Sequence, residues 1–421
     1  MLMRFGVANH LSIKAYQEFS MMASSLKDPG SYLLQGVDKP VLPIGVIYGA
    51  NASGKSNILQ AWSFFCHTIL ASNTTSSNRK TTGQRPFLLD PEMTNSPSRF
   101  DCDIIIRGKR HHYGFIINNE RVMEEWLYVY PEHRRQVWFH RNHEENSEYF
   151  FGPHLKGRKQ VLSEFTAPNS LFLSTAATNQ HEQLSPIRNY FRDSQRHLFS
   201  TVPSNALQPL PRGDIENDER RQRIVNLLAE GDTGVIDIKV EDIFTGGFFI
   251  EILKLGHRGK SGQTFFLDLQ NESLGTRSLL EIQGPVFDAL DRGGVLWIDE
   301  LSANMHPLLA SRIVALFGSQ EANPNGAQLV CTTHNTHLLN EGLLRRDQIW
   351  FTEKDSEGAT ELYPLADYHI RGGENFERDY LQGRYGAIPY LGSLERLFGR
   401  TSTISSPSVG ESTQSTRRRA S

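Results

Sequence analysis

Residues 41–70 read VLPIGVIYGANASGKSNILQAWSFFCHTIL, and the fold turns on this stretch. VLPIGVIYG is an apolar run that stops at a glycine, the pattern of a buried strand. After the loop, Ile58, Trp62, Phe65 and Ile69 recur at helical spacing and share one face. The loop between them, Gly49 to Ser56, fits G-x-x-x-x-G-K-[ST] in full and lies between a strand and a helix, where that pattern has mechanical meaning. Gly49 and Gly54 let the backbone curl so that successive N–H groups can face phosphate oxygens. The helix starting near Lys55 adds its positive end. Lys55 is then the point charge for the β- and γ-phosphates, and Ser56 offers a hydroxyl to Mg²⁺. The nucleotide-contacting set from this loop is Gly49, Asn51, Ala52, Ser53, Gly54, Lys55, Ser56 and Asn57.

A second constellation lies downstream. GGVLWIDE (293–300) is an apolar strand that ends in two acids. A carboxylate pair at the tip of a buried strand is costly without a cation or water to compensate it. Asp299 is therefore expected to hold Mg²⁺, and Glu300 to polarise the attacking water. His334 closes the strand QLVCTTH, where an imidazole beside a γ-phosphate can sense it and position water. ESLGTRSLL (272–280) places a Ser-x-Gly turn at the start of a helix, a second anion-binding helix end built from Ser273, Gly275 and Thr276. One loop already holds phosphates, so a second cradle implies that a facing subunit presents it. The expected cofactors are ATP and Mg²⁺.

Around these motifs the texture changes several times. Residues 85–160 read as an antiparallel meander, with RGKR (107–110) as a hairpin turn. Residues 163–230 are more helical and polar. From 231 a strand-rich stretch gives way to alternating helices and strands, the rhythm of a parallel sheet with covering helices. The expected division is 1–162 as an N-terminal lobe, 163–230 as an inserted helical arm or lid, 231–401 as a C-terminal lobe and 402–421 as a disordered tail ending in basic residues. Residues 71–84 read as an exposed loop and THLLNEGLLR (336–345) as a helix. The fold class is α/β, a P-loop NTPase with a mixed β-sheet lobe and a parallel core sheet.

The chain has 421 residues, 38% of them apolar and 22% charged, which excludes a disordered chain. A net charge of −3 excludes a global basic field for nucleic acid. Three scattered cysteines point to reduced thiols rather than disulfides or zinc. No stretch approaches the ~18 apolar residues of a membrane span. A cytoplasmic protein without a membrane partner is expected.

The order 49–56, 273–276, 299–300, 334 resembles the ABC-class ATPases of the SMC, RecF and OLD branch. PFLLDPE (86–92), DELSANMHP (299–307) and YLQGRYGAIPYLG (380–392) are similar to stand-alone prokaryotic AAA-family ATPases of the RloA type, found in restriction and phage-defence gene clusters. That resemblance spans most of 41–392. It implies an ABC-type head, an ATP-dependent homodimer and a switch role with a separate effector, nuclease-like, and DNA as a further partner. A repair ATPase of the RecF or SMC kind and a self-contained OLD-like nuclease are the alternatives. Glu353 and Asp355 loosely suggest the metal site of such a nuclease, but a closing hairpin is the simpler reading. The glutamine that usually joins Mg²⁺ to the lobe interface has no clear place; Gln84 is the nearest. RGKRHHYGF (107–115) interleaves basic and aromatic residues, which reads as a solvated hairpin before it reads as a phosphate contact.

Overall fold

The computed structural model describes residues 1–389 except 27, 29, 76–80, 194, 199–211, 246–247, 340–341 and 370–374. The tail at 402–421 and the end of the 380–392 motif lie outside the described residues. In chain order the strands are β1 (Leu2–Ala8), β2 (Gln17–Ser20), β3 (Ile44–Gly49), β4 (Ser98–Ile106), β5 (Lys109–Ile117), β6 (Val122–Tyr130), β7 (Gln136–Asn142), β8 (Tyr149–Phe151), β9 (Gln195–Leu198), β10 (Val235–Thr245), β11 (Phe248–Arg258), β12 (Thr264–Asp268), β13 (Val295–Ile298), β14 (Gln328–Thr332), β15 (Ile349–Lys354) and β16 (Thr360–Pro364). The helices are α1 (Lys55–Thr75), α2 (Pro91–Thr94), α3 (Lys159–Glu164), α4 (Phe172–Thr178), α5 (Ser185–Asp193), α6 (Arg212–Glu216), α7 (Asp218–Glu230), α8 (Leu274–Arg292), α9 (Pro307–Gly318) and α10 (Phe376–Leu381).

Three sheets result. An antiparallel sheet runs β2-β1-β4-β5-β6-β7-β8, a smaller one β10-β11-β12, and the central sheet β16-β15-β3-β14-β13-β9. In the central sheet β9, β13, β14, β3 and β15 are parallel, and β16 closes one edge as an antiparallel hairpin partner. The chain is thus the expected α/β fold, with a mixed lobe set against a parallel core.

The period-two rule explains how one sheet serves two cores. Ile47, Val295, Trp297, Val330 and Trp350 join the core shared with α1 and the antiparallel sheet. Their neighbours Ile44, Val46, Tyr48, Leu296, Ile298, Leu329, Cys331 and Phe351 join the core under α7, α8 and α9. Helix α1 lies between the two large sheets, so it is apolar on more than one side. Trp62 meets Phe5 edge-on at 5.0 Å and stacks on Trp297 at 5.0 Å. Gln328, fully buried, locks the sheets together by pairing with the backbone of Leu2 and with Leu42 O.

Three details differ from the sequence reading. Helix α1 continues through 71–75 because Ser72 is pinned to the neighbouring helix: its hydroxyl donates to Ser174 and accepts from the Leu171 amide. Among the described residues of 336–345 there is no α-helix but a 3-10 turn, Thr336–Leu339, set by the Asn335 side chain accepting from the His337 amide. Between 163 and 230, α4 and α5 do not project: Phe172, Leu173, Ile187 and Phe191 are buried in the first core. β9, in the same stretch, is an edge strand of the central sheet.

All three cysteines are buried and free, and burial keeps their thiols protonated. His10 is buried between the rings of Phe64 and Phe100, with no hydrogen-bond partner for either ring nitrogen. Burial, helped by the charge of Arg85, draws its pKa down to about 3. The unfolded chain therefore takes up this proton first as pH falls. The corresponding stability is full above the ordinary histidine value and is lost below it, at about 1.4 kcal/mol per pH unit. His10→Phe should remove about 2 kcal/mol of the stability difference between pH 7.5 and pH 5. Urea denaturation at both values checks this; an unchanged difference would rule the assignment out.

Candidate nucleotide site

The loop at 49–56 connects β3 to α1 at the C-terminal edge of the parallel strands, the edge where open α/β sheets carry their ligands. Its two framing glycines are required by close approach. A Cβ at Gly49 would lie 2.4 Å from Thr352 Oγ1, and one at Gly54 would lie 2.0 Å from Thr360 Oγ1. Gly54 also has φ +108 and Ala52 φ +62, both in the left-handed region that turns the backbone inward. Lys55 is 6% exposed and donates to Gly49 O at 2.9 Å and Ala50 O at 3.0 Å. An ammonium has three N–H groups, so one remains for a ligand.

The loop is braced from outside by residues that the sequence reading did not single out. Ser53 Oγ pairs with Thr352 Oγ1 at 2.6 Å, and Thr360 Oγ1 donates to Ser53 O at 2.9 Å. Ser12 Oγ pairs with Thr360 Oγ1 and accepts from Asn57 Nδ2. Ser53 and Asn57 thus use these side-chain groups to hold the loop, although both were expected to contact nucleotide. Asn51 stands exposed on the loop.

The acids sit where the strand reading put them. Asp299 follows β13 and is 4% exposed, while Glu300 is exposed with φ +55. Thr332, fully buried on the adjacent strand, sets both: its hydroxyl donates to Asp299 Oδ1 at 2.6 Å and accepts from the Glu300 amide at 2.8 Å. A strained, left-handed glutamate at a strand end is held by its surroundings and marks a functional candidate. His334, two residues beyond Thr332, is exposed. Burial and then the charge of Lys55 draw its pKa below the ordinary histidine value, so the ring is neutral at pH 7. Burial also lowers the Lys55 pKa, opposed by Asp299 and Glu300. Lys55, Asp299, Glu300 and His334 therefore form one electrostatic unit.

The donor set suits a magnesium nucleotide. The Ser56 hydroxyl has no hydrogen-bond partner among the described residues, and Asp299 keeps one oxygen free of protein hydrogen bonds. No cluster of three or more His, Cys, Asp or Glu capable of holding a metal occurs among the described residues. A cation at this site would complete its shell with phosphate oxygens and water, as Mg²⁺ does.

Ser273, Gly275 and Thr276 lie elsewhere. Ser273 caps α8: its Oγ accepts from the Thr276 amide at 3.1 Å and pairs with Thr276 Oγ1 at 2.9 Å. They line a cavity of about 340 Å³ together with Asn304 and His306, the residues that lead into α9. No residue of the 49–56 loop lines that cavity, nor do Asp299, Glu300 or His334. Gln84 donates its amide to Ser96 O and Ser98 Oγ. Asp355 caps its own turn by accepting from the amides of Glu357 and Ala359, and Glu353 accepts from the Tyr363 hydroxyl, so the pair serves the β15–β16 hairpin. In the 107–115 stretch, Arg110 pairs with Asp103 and lies over the Tyr130 ring.

A phosphate-loop strand–loop–helix, an acid pair at the end of β13 one strand further across the sheet, and a parallel core flanked by a mixed lobe define a P-loop ATPase. More particularly, the chain belongs to the AAA ATPase family described as "AAA domain, putative AbiEii toxin, Type IV TA system", which matches residues 44–340. No curated protein matches it. Among solved structures, similarity extends to Smc heads. The SmcHead bound to the C-winged helix domain of ScpA shares 11% identity at a TM-score of 0.43, covering 86% of this chain and 97% of that one. The Smc head domain with an extended coiled coil bound to the C-terminal domain of ScpA, from Pyrococcus furiosus, shares 11% at 0.40, covering 86% and 96%. The Smc head domain with a coiled coil and joint from Pyrococcus yayanosii shares 9% at 0.37, covering 91% and 99%. No helix among the described residues is long and apolar enough to cross a membrane.

Proposed function

We propose that this chain is an ATP-hydrolysing switch subunit whose complete site forms between two copies. What supports this reading is the separation of two candidate phosphate-binding surfaces: the lysine, acids and histidine make one unit, while the Ser273–Thr276 turn opens on its own cavity. On this reading Lys55 and the loop amides bind the triphosphate. Ser56 and Asp299 hold Mg²⁺, which supplies charge neutralisation between the phosphates. Glu300 takes a proton from the attacking water. His334, neutral and beside Lys55, donates toward the γ-phosphate or orients the water. The Ser273–Thr276 turn of the second copy closes the site, so nucleotide state sets the association of the two heads.

The family description names a toxin of a toxin–antitoxin system. Together with the similarity to RloA-type ATPases, this favours a prokaryotic defence setting. The structural use of Glu353 and Asp355 favours a separate effector over a built-in nuclease.

The test is light scattering with Mg-ATP. The Glu300→Gln protein should double in mass when ATP is added. Gly275→Asp on that background should keep it monomeric, because a carboxylate would face the γ-phosphate at close range. A mass unchanged by ATP, in a protein that binds ATP, would leave a P-loop ATPase without the two-copy site.

A further inference from the structure

The histidine at 334 is followed by a residue with more partners than its place in a turn requires. Asn335 is 8% exposed. Its carbonyl accepts from Tyr48 Oη at 3.1 Å, and Tyr48 is the residue before Gly49. Its Nδ2 donates to Pro307 O at 3.2 Å, at the start of α9 beside the cavity that Ser273 and His306 line. Its Oδ1 accepts from the His337 amide at 3.0 Å, which closes the 3-10 turn after the histidine. Its amide donates to Thr333 Oγ1 at 3.0 Å, and that hydroxyl pairs with Ser302 Oγ at 2.8 Å in the segment after Glu300. One buried side chain and its peptide therefore touch the strand feeding the phosphate loop, the histidine turn and the first turn of α9, and reach the segment after the acids through Thr333.

We propose that Asn335 is a positioning residue that ties these four segments into one unit, so that nucleotide at the 49–56 loop is felt at the α9 end and the cavity surface beside it. This rests on the nucleotide reading given above. The two halves of the amide do different work. Oδ1 fixes the turn and hence where the His334 ring stands. Nδ2 fixes the distance between that turn and α9. Both bonds are partly buried, so losing one leaves a partner that water replaces only in part, and the unit loosens. The network reaches the cavity through packed, hydrogen-bonded backbone, the kind of contiguous path along which coupling can pass.

The two halves can be separated by substitution. Asn335→Ser keeps an oxygen able to accept from the amide two residues on, as serine does in turns, but has no donor that spans to Pro307. Asn335→Ala loses both. Three readouts are needed on parent and variants: ATP affinity by calorimetry, steady-state hydrolysis, and amide deuterium exchange of residues 302–312 with and without a non-hydrolysable ATP analogue. In the parent, the analogue should slow exchange in 302–312. In Asn335→Ala, hydrolysis should fall by about tenfold in kcat, the scale of one or two lost hydrogen bonds, with ATP affinity within about threefold. The slowing at 302–312 should be lost. In Asn335→Ser, kcat should stay within about threefold of the parent while the slowing at 302–312 is lost all the same. Thermal melting without nucleotide identifies a variant that fails to fold, and then the serine variant alone decides. Parent-like exchange in the serine variant overturns the proposal, as does an alanine variant with parent-like kcat and exchange. A parent that binds no ATP overturns the nucleotide reading instead.

Discussion

Replacing Glu300 by glutamine should lower ATP hydrolysis by ~10²–10⁴-fold, the usual contribution of a positioned general base. It should leave ATP affinity close to that of the parent. The reason lies in how Glu300 is held. Its amide is fixed by Thr332 Oγ1, and its backbone is left-handed, so the strand end that presents the side chain does not depend on the carboxylate. A glutamine keeps the volume and the reach of the side chain and loses only the basic oxygen. Asp299, which is expected to face Mg²⁺, keeps its hydrogen bond from Thr332. Single-turnover hydrolysis measured beside calorimetric affinity separates the two effects. Equal loss of both would move Glu300 from the chemistry to the binding of nucleotide. Parent-like hydrolysis would remove it from the site.

The sequence carried most of this site because its main parts are local. The phosphate loop is eight consecutive residues, and the acid pair ends a single apolar strand, so each can be read from a short window. Its supports are not local. Thr332, Thr352, Thr360 and Ser12 reach the loop or the acids only after β14, β15 and β16 have paired around β3. In a window of sequence a threonine in a strand is simply a good β-former. The doubled threonine before His334 was the one available signal, since two hydroxyls at the end of an otherwise apolar strand need partners. They have them: Thr332 meets Asp299, and Thr333 meets Ser302. The packing of the stretch after 163 is hard to read from sequence for a related reason. Short, polar helices such as α5 carry few apolar residues, yet Ile187 and Phe191 reach the core around α1. β9 is four residues long, and its place at the sheet edge comes from pairing with β13 rather than from any pattern of its own.

Lys55→Ala should weaken Mg-ATP binding by about a hundredfold or more, because charge-assisted hydrogen bonds to phosphate are worth roughly twice neutral ones. The lysine is placed for this by the loop itself. Two of its N–H groups are held by Gly49 O and Ala50 O, which points the charge across the mouth of the loop and leaves the third donor for a phosphate oxygen. The change also strips those two carbonyls of a donor, so a loss of affinity could come from a collapsed loop. Two further measurements separate the causes. Without nucleotide, the variant should melt close to the parent, since the serine and threonine braces around Ser53 remain. With Mg-ATP at ~100 times the parent's Kd, the parent should gain about 2.7 kcal/mol through linkage and the variant no more than about 0.4 kcal/mol. The second measurement uses His334. The charge of Lys55 is one cause of the lowered pKa of that ring. Removing it should move the His334 titration up toward the ordinary histidine value, as read by NMR on the nucleotide-free protein. A His334 that titrates identically in parent and variant would mean that Lys55 and His334 do not share a site, whatever happens to the affinity.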